Sequence, residues 1–252
     1  MRARMLTALL VPVVFQCQAL AAETLTTLLQ GVNDSLRPST PLGAEGRVES
    51  DTLQGHKQDR LVLVERAGAD AKAPVQVYVD FETAKVRVLA LGPSELHIST
   101  GGKSRLASSE TAVDSTSFTT EDWLPFSAAR CAAMRLADIN AEQFTLVCEP
   151  KKPPSQYSLM VYKFDRGKSV MLQVLLYKES MTNLVKMVRN DDFAQVESKW
   201  RPKRIVMQDF KIRTKDVISL EWQPASTVPA GVFDPKSFGA ASLPESSTGR
   251  KP

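Results

Sequence analysis

The side chains able to do chemistry are few. The 252 residues hold two histidines, His56 and His97, and three cysteines, Cys17, Cys131 and Cys148. No histidine lies near a cysteine, and the Cys131 to Cys148 spacing is not that of a zinc motif. Neither an HExxH helix nor a GxSxG nucleophile elbow occurs. Gly101-Gly102-Lys103-Ser104 has the end of a phosphate-binding loop, but His97 stands where the first glycine of that motif belongs, so a hairpin turn is the reading. Asp191-Asp192 is a pair of adjacent carboxylates at a turn between strands, and neighbours on a strand point opposite ways. Nothing here builds a catalytic site, a metal site or a cofactor site. The sequence reads as a protein that is not an enzyme.

Charge narrows the partners. The net charge of +4 is too weak for a nucleic-acid binder. Lys199, Arg201, Lys203 and Arg204 gather around Trp200, with Lys211, Arg213 and Lys215 a strand later. Such a group suits a solvated hairpin edge or a contact with a partner or anionic lipid head groups.

The first residues are an address. Arg2 and Arg4 precede an apolar run from Met5 to Phe15, and Ala19-Leu20-Ala21 supplies small residues at a cleavage site. Residues 1–21 are therefore expected to be a secretory signal peptide, with cleavage near Ala21 and a periplasmic product. Cys17 raises a lipid-anchored alternative, but Val14-Phe15-Gln16 is bulkier than that processing accepts. Without Arg2 and Arg4 the net charge falls to +2. Export leaves Cys131 and Cys148, an even number in an oxidising compartment, which points to a disulfide; two separate buried thiols are the alternative.

Hydrophobic spacing then sets the elements. Leu25, Leu28, Leu29, Val32 and Leu36 form one stripe of an amphipathic helix that Pro38 and Pro41 end. Strands follow at 60–66, 75–81 and 85–91, with a further hairpin around Gly101-Gly102. Thr119 or Thr120 caps a helix that Pro125 splits, the second piece running from Ser127 to about Leu136. A strand at 143–148 precedes five evenly spaced strands at 159–164, 170–177, 183–189, 204–210 and 217–223, with Asn190-Asp191-Asp192 as one of the turns. Short, even turns indicate an antiparallel meander in a single domain over residues 22–239, followed by a flexible tail at 240–252.

Several of these strands are apolar on both faces. Val170, Leu172, Val174 and Leu176 share one side, and Met171, Leu175 and Tyr177 the other. Something must cover the second face: helices, a bound apolar ligand, or both.

Leu184-Val185-Lys186-Met187, Trp200-Arg201-Pro202 and Ile205-Val206-Met207-Gln208-Asp209 come in an order that resembles the closing strands of outer-membrane lipoprotein-sorting proteins, relatives of the periplasmic lipoprotein carriers LolA and LolB. Thr214, Pro229 and Phe233 continue that order, and Thr116 to Leu124 is similar to the family's D-F-S-x-x-D-L segment, with Thr116 where an aspartate is usual. The resemblance implies a mainly β fold with some α structure: an incomplete, unclosed antiparallel β-barrel with helices covering its concave side.

It also implies an apolar cavity for acyl chains. Strand parity and the aromatic residues of the second helix assign its lining to Val77, Val79, Val86, Val88, Trp123, Phe126, Met160, Tyr162, Val170, Leu172, Val174, Leu176, Leu220 and Trp222. In the carrier relatives an arginine on a strand holds the lid closed, and Arg60, Arg66 and Arg87 are the candidates here. The expected function is a monomeric carrier that takes acyl lipid or a lipoprotein as cargo and hands it between membranes. It would touch the membrane transiently, have inner-membrane export machinery as a further partner, and perform no covalent step. The alternative is a periplasmic protein-binding or assembly module of an export system that holds no lipid.

Overall fold

Thirteen strands form one antiparallel sheet in the computed structural model, which describes residues 25–70, 73–113, 116–225, 228–229 and 231–241. Residues 1–21, expected to be a signal peptide, and residues 242–252 of the expected tail lie outside the described residues. A helix, α1, spans 25–36. The strands are β1 (Leu42–Thr52), β2 (Gly55–Arg66), β3 (Gln76–Phe81), β4 (Val86–Gly92), β5 (Glu95–Thr100), β6 (Lys103–Leu106), β7 (Cys131–Ile139), β8 (Gln143–Pro150), β9 (Leu159–Asp165), β10 (Val170–Tyr177), β11 (Leu184–Val196), β12 (Lys199–Asp209) and β13 (Thr214–Pro224).

Their order is β6-β5-β4-β3-β2-β1-β13-β12-β11-β10-β9-β8-β7, so every pairing joins sequence neighbours except β1 with β13. The two ends, β6 and β7, do not pair, and the barrel stays unclosed, as expected. At the β1–β13 seam the strands approach closely. A Cβ on Gly46 would stand 1.9 Å from the Ser219 carbonyl oxygen, which only glycine avoids.

The concave face of the sheet carries the main core, including Val48, Leu61, Phe81, Leu146, Phe164 and Ile218. Two covers lie over it. One is α1, whose Val32 is fully buried while Leu25, Leu28, Leu29 and Leu36 pack at its margin, the stripe the periodicity predicts. The other is the 107–130 segment between the edge strands, a strap that inserts Val113, Phe118, Trp123 and Phe126.

The strap corrects the expected second helix. Only two short 3-10 turns form, Thr120–Trp123 and Ala128–Arg130, and the run from Cys131 is strand β7. The segment Ala-Ala-Arg-Cys-Ala-Ala-Met-Arg-Leu-Ala favours a helix locally, but pairing with β8 and a disulfide override that preference. Met134 and Leu136 then reach the core at the two-residue spacing of a strand.

The turn expected at Asn190-Asp191-Asp192 is likewise mid-strand. Asn190 stands opposite Ile205 and Asp191 opposite Arg204, with Asp192 alone of the three at positive φ.

The outer face is covered over β2–β4 by the chain that follows β13. Val64, Tyr78 and Leu89 pack there against Val232, Phe233 and Phe238. Arg87 donates to the Phe238 and Gly239 carbonyls and to Asp80, and Arg66 lies 4.1 Å from the Phe233 ring centroid. This cover lies over β2–β4 and includes no residue of β10, the strand that reads as apolar on both sides.

Candidate functional site: a covered concave face

Eleven of the fourteen assigned lining residues lie in the buried concave core: Val77, Val79, Val86, Val88, Trp123, Phe126, Met160, Tyr162, Val174, Leu176 and Leu220. Trp222 packs at its margin and donates from Nε1 to the Pro202 carbonyl at 2.8 Å. Val170 and Leu172 leave the group. The ladder between β10 and β9 shifts register between Met171 and Gln173, so parity reverses at Leu172. Met171 takes the concave position, Val170 is buried outside this core, and Leu172 is half-buried.

Sequence reasoning overlooked other residues of the same face. Leu61 with Leu63, and Phe144 with Leu146, show a period of two that assigns them to it. The strap aromatics meet a wall of rings. Phe126 sits 4.9 Å from Tyr162 and 5.1 Å from Phe164, while Trp123 stacks on Phe118 at 4.7 Å and meets Phe81 edge-on at 5.8 Å.

Polar side chains hold both covers. Arg201 on β12, 3% exposed, donates from Nη1 to the Ser35 carbonyl at 3.0 Å and from Nη2 to the Leu36 carbonyl at 2.8 Å. Its Nε pairs with Glu65 at 2.8 Å. A buried cation thus satisfies carbonyls at the C-terminal end of α1, where the helix dipole is negative. Lys199 adds a contact from Nζ to the Asp34 carbonyl at 2.5 Å.

The basic group around Trp200 is therefore in part the dock of α1, a correction to its reading as a solvated edge. The arginines suggested for a latch do other work among the described residues: Arg60 pairs with Glu82, while Arg66 and Arg87 hold the C-terminal chain on the outer face. What hides Arg201 from sequence reading is its setting among Lys199, Lys203 and Arg204, where a buried guanidinium looks like surface charge.

The strap is held by a second set. Lys186 Nζ donates to the Ser117 carbonyl and to Asp122 Oδ2, each at 2.7 Å, with Asp209 at 3.9 Å. Asp122 also accepts from Tyr157 at 2.5 Å and from the Thr119 amide at 2.7 Å. Glu121 pairs with Arg130 at 2.9 Å and accepts from the Gln156 amide at 2.9 Å. Asp216, fully buried, accepts from the amide and hydroxyl of Ser117.

Lys186, Asp209 and the Thr116 to Leu124 segment, far apart in the chain, meet at this one locus. That gives the ordered motifs of the sequence a physical reason. Burial and the Asp122 carboxylate push the Tyr157 phenol well above its ordinary pKa, and burial raises that of Tyr162.

The strap and the chain from it to Gly239 also carry a family signature. Residues 108–239 match a family model described as "Uncharacterized protein". The chain belongs to that family. No curated protein matches the sequence.

Solved structures define the fold it shares. A domain from Vibrio parahaemolyticus described as an outer membrane lipoprotein-sorting protein superposes at TM-score 0.73 with 14% identity, covering 84% of this chain and 97% of that one. A DUF1329 family protein from Desulfovibrio piger gives 0.69 with 13% identity over 83% and 96%. A LolA superfamily protein from Nitrosomonas europaea gives 0.63 with 15% identity over 82% and 96%. The chain has the unclosed barrel of the lipoprotein-sorting and LolA superfamily proteins, and at these identities the likeness is one of fold.

The Cys131–Cys148 disulfide is formed. Among the described residues no group of histidine, cysteine, aspartate or glutamate could hold a metal ion, and no helix is long and apolar enough to cross a membrane.

Proposed function

We propose that this protein is a periplasmic carrier that shelters acyl chains of a lipid or lipoprotein against its concave face and hands them on without covalent chemistry. One observation carries the reading. The apolar concave face is closed by two covers that pack into it, α1 through Val32 and the strap through Val113, Phe118, Trp123 and Phe126, and each is fastened by polar contacts at its margin. Releasing α1 exposes the apolar wall around Val32, and an acyl chain laid there recovers about 0.8 kcal/mol per buried CH₂. A cover that exchanges between wall and solvent lets cargo be bound and then released. Export by the N-terminal segment and the disulfide suit an oxidising compartment. Handing cargo between membranes requires transient contact with a membrane surface.

The test is extraction of protein purified from the periplasm, with mass spectrometry of the organic phase. Reproducible, near-stoichiometric acyl lipid supports the carrier. Empty extracts from folded protein refute it and leave a module that binds another protein.

A further inference from the structure

Because the sheet is a meander, alternate connections fall at the same rim. The β1–β2, β3–β4, β5–β6, β8–β9, β10–β11 and β12–β13 turns share one end. Six large apolar side chains are exposed among the described residues, and four sit on these turns: Leu53 (79%), Met181 (59%), Ile212 (52%) and Phe210 (45%). The other two, Leu106 and Ile139, end the edge strands β6 and β7.

The four are also neighbours. Asp51 stands opposite Lys215, which sets the β1–β2 turn beside the β12–β13 turn. The Phe210 amide donates to the Val185 carbonyl at 2.9 Å, which sets the β12–β13 turn beside β10–β11.

Charge at this rim has one sign where the apolar groups are densest. Phe210-Lys211-Ile212-Arg213-Thr214-Lys215 alternates apolar with basic residues and contains no acid, and exposed Lys57 stands opposite Ser50 near the β1–β2 turn. None of Lys57, Lys211, Arg213 and Lys215 pairs with a carboxylate among the described residues, whereas nearby Asp51 is engaged by His56 at 2.9 Å. The turn is also firmly built. Asp209 Oδ1 accepts from the Lys211 and Ile212 amides at 2.9 and 3.0 Å, so the turn presents its apolar side chains from a fixed base. At the β12–β13 turn, protruding apolar side chains interleaved with unpaired cations match the boundary between anionic head groups and acyl chains.

We propose that this rim is where the protein docks on an anionic lipid bilayer, with Leu53, Phe210, Ile212 and Met181 entering the head-group layer and the four cations facing lipid phosphates. The proposal deepens the carrier reading and rests on it for its purpose, but its chemistry stands on these residues alone. The same rim surrounds the strap, since Tyr157, Lys186 and Asp216 adjoin these turns, so docking brings that cover to the membrane.

The experiment is flotation with protein-free vesicles of phosphatidylcholine, with and without 30% phosphatidylglycerol, at low and high salt. The wild-type chain is expected to float with anionic vesicles and not with neutral ones, and to be released by salt. Phe210→Ser with Ile212→Ser should weaken binding about tenfold or more, and Lys211→Glu with Arg213→Glu should abolish it. Both pairs are at exposed turn positions, and thermal melts matching wild type establish that they fold.

Equal binding to both vesicle types, or turn variants that bind like wild type, overturns the proposal. So does binding seen only with native membranes that carry proteins, which assigns the rim to a protein partner. Extracted acyl lipid in a protein that ignores vesicles refutes docking and spares the carrier. Vesicle binding with empty extracts does the reverse.

Discussion

Arg201→Met should release α1 selectively. The side chain is buried, and it supplies two hydrogen bonds to the last carbonyls of the helix, at 3.0 and 2.8 Å, with Glu65 at 2.8 Å completing its charge. Hydrogen bonds to a charged group contribute about 1.5–3 kcal/mol each, so losing both weakens the dock by about 3 kcal/mol at the low end. That corresponds to roughly 150-fold in the equilibrium for local opening. Methionine keeps most of the apolar stem packed, which isolates the polar contribution.

Amide hydrogen exchange read by mass spectrometry on the peptide over 25–36 is the assay. In the variant this peptide should exchange about two orders of magnitude faster, with β8–β10 unchanged. Leu146→Ala, at a fully buried core position, is the control, because its cost of about 2–5 kcal/mol falls on the whole sheet. Unaltered protection of α1 in Arg201→Met, or acceleration only in step with the sheet as in Leu146→Ala, would refute the latch.

Other expectations concern the strap and the edge. Cysteine removal at Cys131 and Cys148 should cost about 3 kcal/mol for a loop of this length, measured by urea unfolding, and a thiol count on unfolded, unreduced protein purified from the periplasm should find none. Lys186→Met strands Asp122 in a buried site and should cost about 3–5 kcal/mol, with Asp122→Asn added to it restoring part of the loss in a double-mutant cycle. Alkali should unfold the protein cooperatively. Tyr78, Tyr157 and Tyr162 have raised folded pKa values, so their contribution is fully present below the unfolded value near pH 10 and is lost as pH rises through the folded ones. Absorbance at 295 nm should therefore report these phenols ionising together with loss of the sheet's circular dichroism.

Legibility followed the strength of local pattern. The α1 stripe and the five strands after Ser158 were plain because their apolar period is regular, although β11 runs through Asn190-Asp191-Asp192, where the turn residues pointed to its end. Strand β1 left no comparable trace: Gly43 and Gly46 interrupt it, and its outer face carries Glu45, Arg47 and Glu49. Strand β7 was hidden by alanines that favour a helix in isolation. One extra residue at Leu172 turned half of β10 over, which parity alone cannot foresee. Eleven of the assigned residues fall on the concave face because its apolar residues repeat at every second position, while Leu61, Leu63, Phe144 and Leu146 of the same face went unassigned. The latches were not legible, because the burial of Arg201, Lys186 and Glu121 depends on partners distant in sequence.

The β1–β13 seam has a consequence for how the chain assembles. It joins two ladders, β1–β6 and β7–β13, that are also linked by the strap, by the Arg201–Glu65 pair and by the C-terminal chain lying over β2–β4. During synthesis β1 is the first strand made and β13 the last, so the first ladder waits with an open edge until the second is complete. A second copy of the chain offers the same β13 edge. Exchange of ladders between two chains, with the strap as hinge, would give a reciprocal swapped dimer. Refolding at high protein concentration should then trap dimer on a sizing column, and Gly46→Ala, which obstructs the seam in either arrangement, should reduce monomer and dimer alike.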